Sequence, residues 1–213
     1  WHCFGSCGTG GDVFAFVMKK EGLGFSEALS LLADRAGVPL VARQRGRAKG
    51  GEWERLHQVN EAAARYYHYL LLNYDGAETA RRHLDGRGIS RETVDGFELG
   101  FSPDSWDALR EHLTRRGYGV SDLVAAGLAV DKGEGAAYDL FRNRLMIPIR
   151  DDKGAVAGFG ARALDASIPK YLNTPQTPVF DKSGILYGMD KAKGAIREKG
   201  LAIWESCVKF RHQ

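Results

Sequence analysis

Cysteine is scarce in this chain, three residues among 213, and proline nearly so, with six. Cys3 and Cys7 lie close together and Cys207 far away, an odd set that makes no disulfide framework of the secreted kind. Long apolar runs are missing too: no stretch approaches 18 consecutive apolar residues, which excludes a membrane-spanning helix. No charged-then-apolar leader with a small-residue cleavage site opens the sequence, so a cytoplasmic protein is expected. Net charge is also small, at +3. Glycine is the exception, with 27 residues against a usual share of about 7%. Without a G-X-Y period, and with so little proline, the excess excludes collagen and points to turns and close backbone approaches. The length allows one or two domains with a real core. Beginning at Trp1 and not at methionine, the chain reads as a piece of a longer protein.

Residues 1–24 read as loop, with glycines at 5, 8, 10 and 11 and an apolar run of Val13, Phe14, Phe16 and Val17. A helix is expected next: Ser26 offers an N-cap, Leu29, Leu32, Ala33 and Ala36 recur at helical spacing, and Gly37 stands where a C′ residue belongs. Over residues 41–51 the apolar period stops while Arg43, Arg45, Arg47 and Lys49 accumulate, the pattern of a linker. A long helical stripe then runs through Leu56, Val59, Ala63, Tyr67 and Leu70. Shorter helices are expected near 77–85, 90–95, 105–116 and 121–126. From about Tyr138 the texture turns strand-like. Two apolar runs, at 145–149 and 155–159, flank Asp151-Asp152-Lys153-Gly154 and read as a hairpin. A helix near 189–199 leads into Leu201-Ala202-Ile203, a short strand.

Two constellations carry chemistry. Cys3 and Cys7 sit among glycines that let the backbone fold back, and thiolates suit Zn²⁺; but two ligands are half of a tetrahedral site, and two reduced thiols fit the pattern equally. His2 beside them reads as a bystander. The second is a set of cations interleaved with aromatic and amide side chains: Arg142, Arg144, Arg162, Lys170 and Lys182, with Tyr171, Asn173 and Tyr187. In one sheet they would suit phosphate and single-stranded bases by charge and stacking, or else form a solvated basic face.

In this order the chain carries His-Cys-Phe-Gly-x-Cys-Gly-x-Gly-Gly-Asp-Val-Phe-x-Phe, the Phe-Ser-Glu-Ala-Leu helix, Phe141 to Ile149, Gly158 to Arg162 and Pro169-Lys170-Tyr171-Leu172-Asn173-Thr174. Together these resemble the bacterial replicative DNA primase family, over residues 1–203. The resemblance implies an α+β chain: the C-terminal part of a zinc-ribbon domain over 1–42, a basic linker over 43–53, and the mixed α/β N-terminal subdomain of the primase core over 54–200. Residues 201–213 would be the first strand of a Toprim region with a divergent tail.

By the same resemblance, Cys3 and Cys7 are zinc ligands whose partners precede Trp1. Arg142, Arg144, Arg162, Lys170, Tyr171, Asn173 and Lys182 form the surface for template DNA and nucleotides. Asn143, Ala161, Gln176 and Asp181 depart from the family's commonest residues, and Asp181 sets an acid beside Lys182. The implied function is template-directed RNA primer synthesis on single-stranded DNA at the cytoplasmic replication fork. It uses nucleoside triphosphates with Mg²⁺ or Mn²⁺, and a replicative helicase is the partner of a further C-terminal domain. Glu205 lies near the family's metal-binding glutamate, but the sequence after Trp204 does not continue that pattern, so no catalytic residue is assigned and this chain alone is expected to be inactive. The competing reading is a non-catalytic zinc-knuckle module that binds nucleic acid.

Overall fold

The computed structural model describes residue 2 and residues 10–36, 50–133 and 136–199. They fall into two compact units, Trp1–Arg47 and Ala48–Gln213. None of the described helices is long and apolar enough to cross a membrane.

In the first unit His2 and Gly10 form an isolated antiparallel bridge. A helix, α1 (Val13–Glu21), follows where the sequence suggested loop. Val13, Phe16 and Val17 stand at i, i+3 and i+4, so what reads as a short apolar run is a helical stripe. Asp12 caps it, accepting from the Ala15 N–H at 2.8 Å, and Gly22 ends it with φ of 67°. The second helix, α2 (Phe25–Ala36), starts one residue before the expected cap Ser26, which is therefore inside its first turn. Gly24 precedes the helix, and its N–H donates to the Glu27 carboxylate at 2.9 Å, half of a capping box. Phe14 and Phe25 join the two helices with ring centroids 5.6 Å apart.

The second unit opens on α3 (Gly50–Asn73), so residues 50–53 of the expected linker are helical. The stripe predicted for this helix is its core face: Leu56, Val59, Ala63 and Tyr67 are all buried. A 3-10 turn at Asp75–Ala77 leads to α4 (Glu78–Asp85) and α5 (Arg91–Gly96). Then come β1 (Gly100–Ser102), α6 (Ala108–Thr114) and α7 (Val120–Ala125). The strands β2 (Ala129–Gly133) and β3 (Ala136–Asp139) pair with each other. The expected hairpin is β4 (Arg144–Arg150) and β5 (Val156–Ala163); β6 (Tyr171–Asn173) and α8 (Met189–Lys199) complete the described fold.

The main sheet is antiparallel in the order β1-β4-β5-β6. Side chains alternate across it. Met146, Phe159 and Ala161 enter the core that α3, α6 and α7 cover with Tyr67, Leu109, Leu113 and Leu123. On the other face Leu145 and Phe101 pack with Leu84 and Val94 of α4 and α5 in a second core. The two-sided burial explains why β4 reads as an unbroken apolar run.

At β1 the helix α3 lies against the strand itself. A Cβ at Gly100 would stand 2.6 Å from Tyr67 Cβ and 2.8 Å from the Tyr67 backbone carbon, so there is no room for one. Gly100→Ala is expected to destabilise the unit by about 1–3 kcal/mol, as overpacking of a close-packed core does, read as a lower urea midpoint. An unchanged midpoint would show that α3 can move off β1.

Candidate nucleic-acid interface

Period two along β5 puts Gly158, Gly160 and Arg162 on one face. In the register with β6, Arg162 lies opposite Tyr171 and Gly160 opposite Asn173. The two glycines flatten this face. Asn173 Oδ1 lies 3.4 Å from where a Gly160 Cβ would be, and the Phe180 ring covers Gly158. Lys170 is tied to the strand end by the Ala163 N–H, which donates to its carbonyl at 2.8 Å. Its ammonium stands 6.0 Å from the Tyr171 ring centroid, and Tyr171 is half exposed.

Helix α4 adds to this cluster from the other core. His83 Nδ1 lies 3.5 Å from Arg162 Nη1. Burial, and then the positive fields of Arg162, Arg87 and Lys170, pull the His83 pKa below its ordinary value. Burial is the larger cause, and the three cations add to it in the same direction. Of the seven cations, aromatics and amides expected, the structure thus gathers Arg162, Lys170, Tyr171 and Asn173, and brings in His83 and Arg87. Neither of the latter carries a local signal, because the approach of α4 to β5 is a tertiary contact across 79 residues.

Arg144 is placed differently from the expectation. It pairs with Ser102 and Ala163 on the α3 side of the sheet and is 6% exposed. Its Nη1 donates to the Pro169 carbonyl at 2.9 Å, bracing the loop that carries Lys170. Burial lowers its pKa, Asp165 raises it and Arg142 lowers it further.

Arg142 belongs to a second group. Its guanidinium stacks 4.0 Å from the Trp106 ring centroid and 5.4 Å from that of Tyr138. Lys132 approaches the same two rings at 5.8 and 4.9 Å. The rings meet edge-on at 5.2 Å, and Trp106 is 59% exposed, which no pattern around it announces.

Lys182 is exposed on the turn after Phe180, and the neighbouring Asp181 carboxylate accepts from the N–H and hydroxyl of Ser183. Since Phe180 covers Gly158, this turn begins about 13 Å along β5 from Arg162. Tyr187, expected among the cations, stacks on Phe97 at 6.2 Å.

Cys3, Cys7, Glu205 and Cys207 lie outside the described residues. The antiparallel bridge joins His2 and Gly10, the described residues that flank the segment holding both early cysteines. Among the described residues no group of three His, Cys, Asp or Glu side chains could hold a metal ion.

Residues 66–193, more than half of the chain, match the family described as DNA primase catalytic core, N-terminal domain. The chain belongs to the DNA primase family. Residues 1–48 match the CHC2 zinc finger, which supports zinc binding by that segment. The DNA primase of Deinococcus radiodurans is 44% identical over 197 residues, covering 92% of this chain and 33% of the relative. That of Halalkalibacterium halodurans is 40% identical over 205 residues, covering 95% and 34%. The chain thus spans about a third of the length of the curated primases it matches.

Among solved structures, the RNA polymerase domain of Mycobacterium tuberculosis primase, in complex with double-stranded DNA bearing a 6-nucleotide overhang, superposes with a TM-score of 0.65 at 41% identity. It covers 68% of this chain and 46% of that one. The zinc-binding and RNA polymerase domains of Aquifex aeolicus primase cover 93% of this chain and 47% of that one, with a TM-score of 0.63 at 32% identity. A primase catalytic domain bound to single-stranded DNA has a TM-score of 0.62 at 37% identity, covering 69% and 47%. The α+β architecture expected from the sequence is the architecture of these primases.

Proposed function

We propose that the chain is the template-holding part of a DNA primase, which carries single-stranded DNA along the β5–β6 face. The observation that carries this reading is the grouping of Arg162 and Lys170 beside the half-exposed Tyr171, with His83 3.5 Å from Arg162 and the field of Arg87 reaching that imidazole. Phosphates need cations in a row. Bases need flat apolar faces, and any base can stack on tyrosine or tryptophan. Trp106 with Arg142 gives a second stacking position, and Lys182 extends the positive track. Arg144 acts here through the 163–170 loop and not as a phosphate contact.

Residues 1–42 are read as the C-terminal part of the zinc-binding domain, with Cys3 and Cys7 as two of its ligands. Zinc there would crosslink the chain and perform no chemistry. Residues 43–53 are read as the linker, its last four residues taken up by the start of α3, 54–200 as the N-terminal subdomain of the core, and 201–213 as the start of the Toprim region. Primer extension joins a 3′ hydroxyl to a nucleoside triphosphate and needs carboxylates that hold Mg²⁺ or Mn²⁺. The surface described above supplies cations and aromatics, the equipment for holding a strand. Synthesis, and docking to a replicative helicase, belong to the whole primase working at the replication fork in the cytoplasm.

Fluorescence anisotropy of a labelled single strand, titrated with the 213-residue chain at several salt concentrations, tests the reading. Affinity should vary little with sequence and fall linearly with log salt, with a slope of about −0.7 per phosphate neutralised. With labelled nucleotides and Mg²⁺ or Mn²⁺ added, no oligoribonucleotide should form. Salt-independent binding would remove the phosphate role, and primer made by this chain alone would overturn the division between holding and synthesis.

A further inference from the structure

Asp139, the last residue of β3, is 2% exposed and ends in four hydrogen bonds that all lead to one place. Its Oδ2 accepts from the Leu109 N–H at 2.7 Å and its Oδ1 from the Arg110 N–H at 3.0 Å. These are unpaired donors of the first turn of α6, and Asp107, the helix's own N-cap residue, makes no side-chain cap. A strand thirty residues away in sequence therefore anchors the helix start. The main chain of Asp139 does the rest. Its N–H donates to the Trp106 carbonyl at 2.8 Å, and its carbonyl accepts from Arg142 Nη1. Trp106 and Arg142, the stacked pair of the second group, are thus both held by this one residue.

Resting on the reading of that pair as a stacking position for single-stranded bases, we propose that Asp139 is its positioning residue, which holds the exposed indole and the guanidinium in the stacked arrangement that a nucleobase extends. The carboxylate's role is to fix the main chain at the start of α6, from which the Trp106 side chain departs. An indole on a loosened helix start would still be exposed, but stacking depends on its orientation.

The groups facing Asp139 decide when it is charged. Burial pushes its pKa up to about 6, against the two N–H donors and Arg110, while Asp107 raises it further. Tyr66 and Tyr67 of α3 face the same carboxylate, and their hydroxyl pKa values rise mainly through burial and then through its charge. Arg142 reaches its carbonyl from the other side. Above pH 6 both oxygens accept. As pH falls through about 6 the carboxyl takes a proton and loses its charge, and the protonated oxygen becomes a weaker acceptor for its N–H donor. The folded pKa is raised, so this group's contribution to stability is full below its ordinary value of 3.8 and is lost as pH rises through about 6. Protonation therefore loosens the platform without drawing the chain toward unfolding.

The test measures binding of labelled oligo-dT to the 213-residue chain and to Trp106→Ala, Asp139→Asn and the double variant. Trp106→Ala should weaken binding about tenfold at pH 8, the scale of one stacked base. Asp139→Asn should weaken it comparably in the native background and add no loss in the Trp106→Ala background. The affinity ratio of the native chain to Trp106→Ala should also shrink toward one as pH falls from 8 to about 5, the range over which Asp139 takes up its proton. Taking the ratio cancels His83 and other surface groups, which titrate in both chains. Binding that Trp106→Ala leaves unchanged would overturn the stacking reading itself. Equal losses from Asp139→Asn in both backgrounds, or a ratio that does not change with pH, would overturn the positioning role alone. The pH series needs no substitution at Asp139, so it decides even where Asp139→Asn fails to fold.

Discussion

Phe159→Ala is expected to cost the unit from Ala48 onward about 3–5 kcal/mol of stability, the range for removing a fully buried aromatic ring from a core. Phe159 sits in the middle strand pair and is completely inaccessible. Its ring meets Tyr67 of α3 edge-on at 5.8 Å and Phe141 at 6.2 Å, so one side chain joins the long helix, the sheet and the entry to β4. The strand cannot shift to fill the space. Its N–H donates to the Thr174 hydroxyl at 2.9 Å, and its carbonyl accepts the Thr174 N–H at 2.9 Å. A cavity would remain and carry its own cost. Thermal unfolding is the measurement, with a midpoint expected to fall by about 10 °C in a domain of this size. Phe159→Leu, which keeps most of the volume, should lose much less. A loss under about 1 kcal/mol for the alanine variant would mean that the neighbouring side chains collapse into the space.

Replacing Arg87, Arg162 and Lys170 together with alanine should lower affinity for single-stranded DNA about a hundredfold at low salt. That follows from about 1 kcal/mol for each exposed charged contact with phosphate. The same variant should flatten the salt dependence by about two units, since each neutralised phosphate on a single strand contributes about 0.7. Arg87 and Lys170 are exposed and the half-buried Arg162 makes only long contacts of 3.5 Å, so the urea midpoint should change little. Unchanged midpoint with lost affinity separates a binding surface from a structural one. A variant that kept both its affinity and its salt slope would show that this face carries solvated charge and nothing else. Arg144→Ala makes the contrast: buried and bonded to the Pro169 carbonyl, it should lower stability as well as affinity.

The zinc-finger segment shows how local patterns mislead. Val13, Phe14, Phe16 and Val17 are spaced for a helix, yet the glycines just before them make the region read as loop. What decides is Asp12, which caps the helix, and Gly22, which closes it. Strand β1 was illegible for another reason. Three residues have no period to read, and Gly100-Phe101-Ser102 becomes a strand only because β4, more than forty residues later, supplies its partners.

By itself the sequence determined the order of the helices from residue 50 onward, the β4–β5 hairpin, the α+β class and the membership of the primase family. Each of these follows from local periodicity or from motifs in register. Only the tertiary structure decided which cations share a surface. The period of two turns Arg162 toward Tyr171 and Arg144 into the α3 side of the sheet. The approach of α4 brings His83 to Arg162, and the main chain of the buried Asp139 bonds to both Trp106 and Arg142. Charge and spacing along a chain say which residues can meet a phosphate. Which of them share a face depends on strand register and on neighbours far away in sequence, and burial fixes both.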